Sequence, residues 1–382
     1  MNDFHATATP KLFSSSAVPG NDLYTGKPGT WVEINATCFT PGTLIESEAG
    51  PRPVEELRSG DKVWAVGSTS PRLSEIRWIG ERRIDLRRHP KPEGLYPVRI
   101  RKDAMGDGLP VRDLLVSPDH CLLIEGKLIP AKLLTNGMSI VPERSVSGVH
   151  YFHIELANHD AVLAEGVPAE TYLDTGNRGF FVNAATPDLI PQLPEPEAMT
   201  AWQKRLCAPL CLRTDEVDGV WQRFRKRARA SGYCEPVLAV TDDSDPRLVA
   251  GGREFRPAFR RDTRCTFVLP ATSGEIRIVS RSAVPTDLDR STNDWRRLGV
   301  AISKVAVCAG AKVLELAADH QSLQDGWHPV EQGDGGMWRW TTGNAGLAIP
   351  AQLRTGSITV DLHLTGRASY FAEEATQAEI AA

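Results

Sequence analysis

The sequence predicts a mainly β protein with two β-rich domains, separated by a proline-rich linker and a short helical segment. The first observation is a series of short, alternating apolar runs separated by turns, which begins at Trp31 and is typical of an all-β module. The second is the stretch Pro187–Pro196, with four prolines in ten residues, which predicts a stiff linker. The third is a new set of strand-like runs from Cys265 onward, which predicts a β sandwich.

The first β-rich module is predicted over residues 31–178, and its elements are short. Arg58-Ser59-Gly60-Asp61 has the composition of a turn, and Ala131–Leu134 is predicted as a short helical turn. The predicted strand-like elements of this module are Val54–Leu57, Lys62–Val66, Glu75–Ile79, Pro97–Arg101, Asp113–Val116, Cys121–Glu125, Lys127–Ile129 and Met138–Val141.

The linker is predicted over residues 179–198, and residues 199–382 are predicted to hold a helical segment and the second β-rich domain. A helix should start at Thr214-Asp215-Glu216 and end near Gly232. Its apolar face carries Val217, Val220, Trp221 and Phe224. Its C-terminal half is basic and is predicted to face solvent. Positive charges there interact favourably with the C-terminal end of the helix dipole. The predicted strands of this domain are Cys265–Leu269, Glu275–Ser280, Gly299–Val307, Leu347–Ile349 and Ser357–Leu364.

Composition narrows the functional classes. Charged residues make up 24% of the 382-residue chain, and the net charge of −4 gives no reason to expect nucleic acid. No apolar window reaches the roughly 18 residues of a membrane helix, so no transmembrane segment is predicted. Seven irregularly spaced cysteines without a Cys-x-x-Cys pair argue against a zinc site and a disulfide framework. We therefore expect no metal and no cofactor.

The N-terminus is predicted to be a flexible leader over residues 1–30, rich in Ser, Thr, Ala, Pro and Gly. It lacks a basic start followed by an apolar core, so no signal peptide is visible. The expected localisation is either cytoplasmic or reached by an export route that needs no signal.

The chemistry-bearing residues lie in three short strings. Cys38 opens Cys38-Phe39-Thr40-Pro41-Gly42-Thr43, and about eighty residues later comes Ser117-Pro118-Asp119-His120. The third string runs from His153 to His159. A nucleophile, a hydroxyl residue three positions before a histidine, and a second histidine cluster together indicate acyl-transfer chemistry.

This combination resembles the Hint module, the self-processing domain that hedgehog proteins and inteins share, here of a bacterial type. The resemblance covers residues 31–178, under half of the chain. Cys38 stands where the first residue of the module stands. Ser117 and His120 match its Thr-x-x-His block, and His159 matches the second histidine in the block Tyr151–Gly166. His153 occupies a position where intein-like sequences often carry aspartate.

The expected reaction is an N-to-S acyl shift in which the Cys38 thiol attacks the Thr37 carbonyl and leaves a thioester. Sulfur suits this role because it is intrinsically very nucleophilic. His120 is the candidate proton donor to the departing amide nitrogen, because imidazole titrates near neutrality. Ser117 could hydrogen-bond the same amide. Water or another nucleophile would then release the leader, which makes the chain's own N-terminal segment the expected substrate.

The resemblance to inteins fails at the end of the module. Inteins end in a His-Asn pair whose asparagine cyclises, whereas this chain reads Ala169-Glu170-Thr171. Glutamate does not cyclise readily in that role, so splicing is not expected. Nothing beyond Arg178 resembles the sterol-binding region of hedgehog proteins, so hydrolysis is the simpler outcome.

Two other functions remain open. The module could be a catalytically silent Hint fold that serves as a binding or surface domain, because buried cysteine and histidine are also ordinary core residues. It could also be a cysteine hydrolase that uses Cys38 and His120 on an external substrate, although no protease signature surrounds Cys38. In the C-terminal domain, Trp327-His328 and Trp338-Arg339-Trp340 are similar to strings in β-sandwich modules appended to bacterial glycosyltransferases, which makes carbohydrate a candidate partner.

Overall fold

The computed structural model describes residues 37–67, 70–87, 92–174, 178, 181–183, 204–236, 239–261, 263–270, 275–292, 294–333, 335–353, 356–366 and 368–372. The predicted leader, residues 1–30, lies outside the described residues. So does the predicted linker, residues 179–198, except for residues 181–183. The described chain divides into two compact units, the first ending at Pro236. The prediction of a mainly β chain with one longer helix is confirmed.

The first unit consists of short antiparallel strands. They are β1 (Leu44–Ser47), β2 (Gly50–Pro53), β3 (Lys62–Ala65), β4 (Arg72–Glu75), β5 (Trp78–Asp85), β6 (Val98–Ile100), β7 (Leu114–Val116), β8 (Cys121–Ile124), β9 (Lys127–Pro130), β10 (Ile140–Pro142), β11 (Gly148–Glu155), β12 (Ala161–Ala164) and β13 (Val167–Glu170). Short 3-10 turns occupy Val54–Glu56, Pro92–Gly94, Ala131–Leu134 and Asp215–Val217, and the helix α1 spans Asp218–Ala230.

The strands of this unit form three hydrogen-bonded groups. The largest has the order β2–β1–β3–β12–β13–β8–β9, with β4 paired to β3. In the second, β6 lies between β10 and β7. In the third, β5 pairs with β11 along its whole length, so that Gly80 lies opposite His153 and Arg82 opposite Tyr151.

Two Glu-Gly turns connect strands that contribute residues to the candidate site. Glu125-Gly126 connects β8 to β9, and Glu165-Gly166 connects β12 to β13. All four residues have φ between 50° and 83°, which is the requirement of a type I′ two-residue hairpin turn. Glu165 tolerates this conformation while its carboxylate accepts the Leu44 N–H at 2.8 Å.

Three predicted strands differ from the structure, one of them being Leu347–Ile349, of which only Leu347 lies in a strand (Asn344–Leu347). Val54–Glu56 forms a 3-10 turn rather than a strand, because a single buried residue, Val54, anchors an otherwise solvent-facing turn. The predicted strand Glu75–Ile79 is divided between β4 and β5. The break occurs because the Ile76 N–H bonds to Asp61, which precedes β3, whereas the Arg77 N–H bonds to Glu155 of β11. Backbone partners in two different sheets force the chain to bend there.

The helix α1 is confirmed near its predicted position, and Gly232 follows its end with φ of 88°. The sequence grouped it with the C-terminal domain, but its contacts are made within the first unit. The Trp221 indole donates to the Thr135 carbonyl at 2.7 Å, and Val220 and Phe224 are buried. Its basic residues are paired: Arg227 with Asp103, and Arg225 and Arg229 with Glu235.

The second unit is also built from antiparallel strands, together with the one-turn helix α2 (Pro285–Leu288) and 3-10 turns at Arg290–Thr292 and Ala351–Leu353. The strands are β14 (Val240–Thr241), β15 (Arg247–Ala250), β16 (Arg253–Phe255), β17 (Phe259–Arg261), β18 (Arg264–Leu269), β19 (Ile276–Val279), β20 (Ala301–Ala309), β21 (Lys312–Ala317), β22 (Trp327–Gly333), β23 (Gly336–Thr341), β24 (Asn344–Leu347), β25 (Ile358–Thr365) and β26 (Tyr370–Phe371).

Two sheets of this unit share one core. The larger has the order β17–β18–β25–β20–β23–β22 with β21 on β20, and the smaller has the order β16–β15–β19–β24. Leu248 and Ile278 of the smaller sheet and Phe267, Val305 and Val360 of the larger belong to the same buried cluster. Two sheets that bury their inner faces against a common core form a sandwich.

Candidate functional site

The segment that carries Cys38 lies between two strands. The Phe39 N–H donates to the Phe152 carbonyl of β11 at 2.7 Å, and the Phe152 N–H returns a bond to the Phe39 carbonyl at 2.8 Å. On the other side, the Ser117 N–H donates to the Cys38 carbonyl at 2.9 Å. Cys38 is fully buried. The peptide bond between Thr37 and Cys38 therefore lies at the start of a segment that is hydrogen-bonded on both sides.

Ser117 contacts the peptide bond predicted to break. Its Oγ accepts the Cys38 N–H at 2.8 Å, and the side chain is buried. A turn after β7 sets its position, since the His120 N–H donates to the Ser117 carbonyl at 3.0 Å. An ion pair between Asp119 and Lys132 stabilises the same turn. The turn thus places the hydroxyl of Ser117 and the imidazole of His120 next to Cys38.

His120 is fully buried and its ring packs against two others. The ring centroid lies 4.4 Å from that of Phe39 and 5.6 Å from that of His153. Neither ring nitrogen has a hydrogen-bond partner among the residues that the structure describes. Burial lowers the pKa of His120 to about 4. The ring is therefore neutral at pH 7 and one of its nitrogens is available to accept a proton.

His153 contacts the residue before Cys38. Its Nε2 lies 3.1 Å from the Thr37 hydroxyl oxygen. Burial, with smaller contributions from His120 and His159, holds the pKa of His153 well below its usual range. Opposite it, Gly80 leaves room for aromatic rings, since a Cβ there would meet Phe181 and Trp78 ring atoms at 2.5 Å.

Two residues near Cys38 were not predicted from the sequence. Tyr151 packs with Cys38 in one buried cluster, and its hydroxyl donates to the Leu95 carbonyl at 2.7 Å. Arg82 lies opposite Tyr151 on β5. Burial raises the pKa of the Cys38 thiol far above its usual range, and the charge of Arg82 opposes this only in part. The signal that could have found Arg82 is strand alternation along β5, once the pairing with β11 is known.

His159 lies behind this group, connected to it through Glu170. Its Nδ1 accepts the Cys207 N–H at 3.0 Å, and its Nε2 lies 3.5 Å from a Glu170 carboxylate oxygen. The other Glu170 oxygen accepts the Cys121 N–H at 2.8 Å. The structure thus brings Thr37, Cys38, Ser117, His120 and His153 together, with His159 held one contact further away. From the sequence, Glu170 was noted only because its stretch contains no asparagine, and no role was predicted for it.

The described residues contain no group of three or more His, Cys, Asp or Glu side chains that could hold a metal ion. Within the same part of the chain, no helix is long and apolar enough to cross a membrane.

The tryptophans considered for carbohydrate binding pack within the second unit. The Trp327 indole donates to the Gly346 carbonyl at 2.9 Å, and His328 Nε2 lies 2.8 Å from the Arg297 carbonyl. Both are buried, as is Trp340. Trp338 is half-buried, and its indole donates to Glu331. Trp327, His328 and Trp340 are therefore buried within the second unit, whereas Trp338 stays partly exposed, and carbohydrate binding stays a prediction.

Comparisons with known proteins are consistent with this arrangement. The family model described as Hint domain matches residues 37–176. Among solved structures, the bacterial intein-like domain from Clostridium thermocellum is 14% identical, with 36% of this chain and 100% of that chain covered and a TM-score of 0.27. A DnaB intein from Synechocystis sp. PCC 6803 is 11% identical, with 36% and 100% covered and a TM-score of 0.25.

A third solved structure, the gp41-1 intein, is 13% identical, with 35% of this chain and 98% of that chain covered and a TM-score of 0.26. No curated protein matches the chain. The family match includes Thr37, Cys38, Ser117, His120, His153 and His159. The chain therefore contains a Hint domain, which occupies residues 37–176.

Proposed function

We propose that this protein cleaves itself between Thr37 and Cys38 and releases its N-terminal leader without splicing. The observation that carries the proposal is the hydrogen bond from the Cys38 N–H to Ser117 Oγ at 2.8 Å. It engages the nitrogen of the peptide bond that would break, inside a buried site that also contains a neutral histidine.

In the first step, the Cys38 thiol attacks the Thr37 carbonyl carbon. The S–C bond forms as the thiol proton passes to a ring nitrogen of His120, and a tetrahedral intermediate results. This proton transfer is needed because the buried thiol has a raised pKa and is not ionised at rest. His120 is suited to it because its ring is neutral at pH 7.

In the second step, the C–N bond breaks. His120, now an imidazolium, returns the proton to the Cys38 nitrogen, which becomes a free amine while Thr37 is held as a thioester on sulfur. Ser117 holds that nitrogen throughout, and general acid assistance of this kind contributes about 10²–10⁴ in rate. Water or an added nucleophile then attacks the thioester. The products are residues 1–37 and residues 38–382, the latter with a free Cys38 thiol. Thr37 ends in a carboxylate after attack by water, in a hydroxamate after attack by hydroxylamine, and in a new thioester after attack by a thiol.

Mass spectrometry of the full chain tests this proposal. Incubation with a small thiol or hydroxylamine should yield two species, residues 1–37 and residues 38–382. Cys38→Ala should stay intact, and His120→Ala should cleave at least about a hundredfold more slowly. Cys265→Ala is the matched control, because Cys265 is equally buried but lies in the second unit. A folded wild-type chain that stays full length for days with fresh nucleophile would contradict the proposal and favour a silent Hint fold.

A further inference from the structure

Glu170 is a buried carboxylate that the proposed reaction leaves without a role. It ends β13 and is 6% exposed. One oxygen accepts the Cys121 N–H at 2.8 Å, and the other faces His159 Nε2 at 3.5 Å. Burying a carboxylate is costly unless it is paired. A buried carboxylate next to the residues around Cys38 is therefore a candidate for a role in their chemistry.

His159 lies beside this carboxylate. Its Nδ1 accepts the Cys207 N–H at 3.0 Å, so Nε2 is the ring nitrogen that faces Glu170, at 3.5 Å. The Cys207 amide is held in turn by the chain that follows it, where the Leu128 N–H donates to Pro209 and the Cys211 N–H donates to Leu128. With its Nδ1 engaged by Cys207 and its Nε2 facing Glu170, His159 acts on the carboxylate rather than on the Thr37–Cys38 bond.

Glu170 is also an anionic neighbour of His120. The amide that it binds belongs to Cys121, the residue after His120. The other groups that face His120 are the neutral ring of His153 on β11 and the ring of His159, while Asp119 next to it is paired with Lys132. The charge of Glu170 favours the protonated form of His120, and burial opposes it.

We propose that Glu170 is a positioning residue whose negative charge stabilises the imidazolium that His120 becomes when it takes the Cys38 proton. The inference rests on the proposed self-cleavage. A buried carboxylate beside a histidine base does the same in hydrolytic triads, where it stabilises the imidazolium without taking the proton. Here the carboxylate is held by a backbone amide and lies beside His159, and it acts across the antiparallel pairing of β8 with β13.

Substitutions that separate charge from shape test the inference. Glu170→Gln keeps the side-chain length and removes the charge. Glu170→Asp keeps the charge and shortens the side chain. We expect Glu170→Gln to slow thioester formation at least about tenfold, because a close opposite charge shifts the pKa of a titratable group by on the order of 1–3 units toward its charged form. Glu170→Asp should recover a large part of that loss. Glu165→Gln is the matched control, because Glu165 is a buried carboxylate that also accepts a backbone N–H but lies at the other end of β13, beside Arg112.

A second measurement does not depend on cleavage. In full-length Cys38→Ala protein, the imidazole carbon shifts of His120 report its protonation between pH 7 and pH 4.5. We expect Glu170→Gln to reduce the protonated fraction at pH 4.5, and Glu165→Gln to leave it unchanged. An unchanged fraction, or equal rates for Glu170→Gln and Glu170→Asp, would overturn the inference even if wild-type protein cleaves. A wild-type chain that does not cleave would instead overturn the self-cleavage on which the inference rests.

Discussion

The hydroxyl oxygen of Thr37 lies 3.1 Å from Nε2 of His153, a buried and neutral imidazole. The contact joins the residue on the carbonyl side of the proposed cleavage site to the centre of β11. Nδ1 of the same ring has no hydrogen-bond partner among the described residues. The Thr37 hydroxyl is therefore oriented by a fully buried side chain.

This contact predicts a preference for a hydroxyl residue at position 37. Thr37→Val keeps the shape and removes the hydroxyl, which leaves a buried nitrogen unsatisfied at a cost of about 1–3 kcal/mol. We expect cleavage to slow by about 5- to 150-fold, while Thr37→Ser should cleave at close to the wild-type rate. Single-turnover rates from intact mass measure both. If Val and Ser behave alike, the hydroxyl does not position the carbonyl.

The pH dependence of cleavage should report a proton transfer inside the site. The Cys38 thiol stays protonated across the neutral range because of its raised pKa, and His120, with a pKa of about 4, stays neutral. The rate should therefore be nearly constant from about pH 5.5 to 8.5, and it should fall about tenfold per pH unit below about pH 4.

The measurement must use nucleophile concentrations at which the rate no longer depends on the nucleophile, because its own ionisation would otherwise enter the profile. A rate that rises tenfold per pH unit between pH 6 and 8 would mean that hydroxide, rather than His120, removes the thiol proton. In His120→Gln, the remaining cleavage rate should not show the decrease below about pH 4, because the glutamine side chain cannot titrate.

The proximity of Cys38, Ser117 and His120 was expected from the sequence, because they lie in short strings whose residue types and spacing suit one reaction. The structure brings the three residues together, and their roles stay a prediction. The contacts of Glu170 with Cys121 and of Cys207 with His159 could not be predicted. They depend on which strands pair and in which register, and a single sequence does not determine either.

Strand boundaries show the same limit. The run Glu75–Ile79 has the alternation of one strand, but its backbone partners lie in two different sheets, so the chain bends within it. In the second unit, Trp327 and His328 were considered for sugar binding, and both are buried with hydrogen bonds to backbone carbonyls. The residue types suggested an exposed binding surface. The exposure of a side chain depends on long-range packing, which a single sequence does not determine.

The stability of the first unit should fall as the pH is lowered from about 6.5 to about 4. An unfolded histidine takes up a proton near pH 6.5, whereas folded His120 does so only near pH 4. In that window the unfolded state binds more protons, so the free energy of unfolding decreases on acidification. His120 alone should account for about 3 kcal/mol, and His153, whose pKa is lowered in the same direction, should add to it.

Hydrogen exchange of the buried amides of β8 and β11 in Cys38→Ala protein measures this dependence without interference from cleavage. His120→Gln cannot titrate, so its exchange should show a shallower decrease in stability over the same pH range. If the slopes of the two proteins are equal, the ring of His120 gains or loses protons alike in the folded and unfolded states.

The end of the module should not release the segment that follows it. Splicing would need a residue at position 170 or 171 to attack its own carbonyl. The Thr171 side chain instead accepts the Asp160 N–H at 2.9 Å, and its own N–H donates to the Asp160 carbonyl at 2.8 Å. The Glu170 carboxylate accepts the Cys121 N–H and lies beside His159. Neither side chain is free to act as a nucleophile, and neither forms a cyclic imide as readily as asparagine.

We therefore expect mass spectrometry to find residues 38–382 as one continuous product. No species should join residues 1–37 to the chain beyond Glu170, and no fragment should begin at Thr171. Thr171→Val is a useful companion variant, because it removes the acceptor for the Asp160 N–H and should destabilise the first unit by about 1–3 kcal/mol without producing either species. A ligated product in a protease-free preparation would show that the Hint domain can cleave at both of its ends, and that a group other than an asparagine at its C-terminal end carries out the second cleavage.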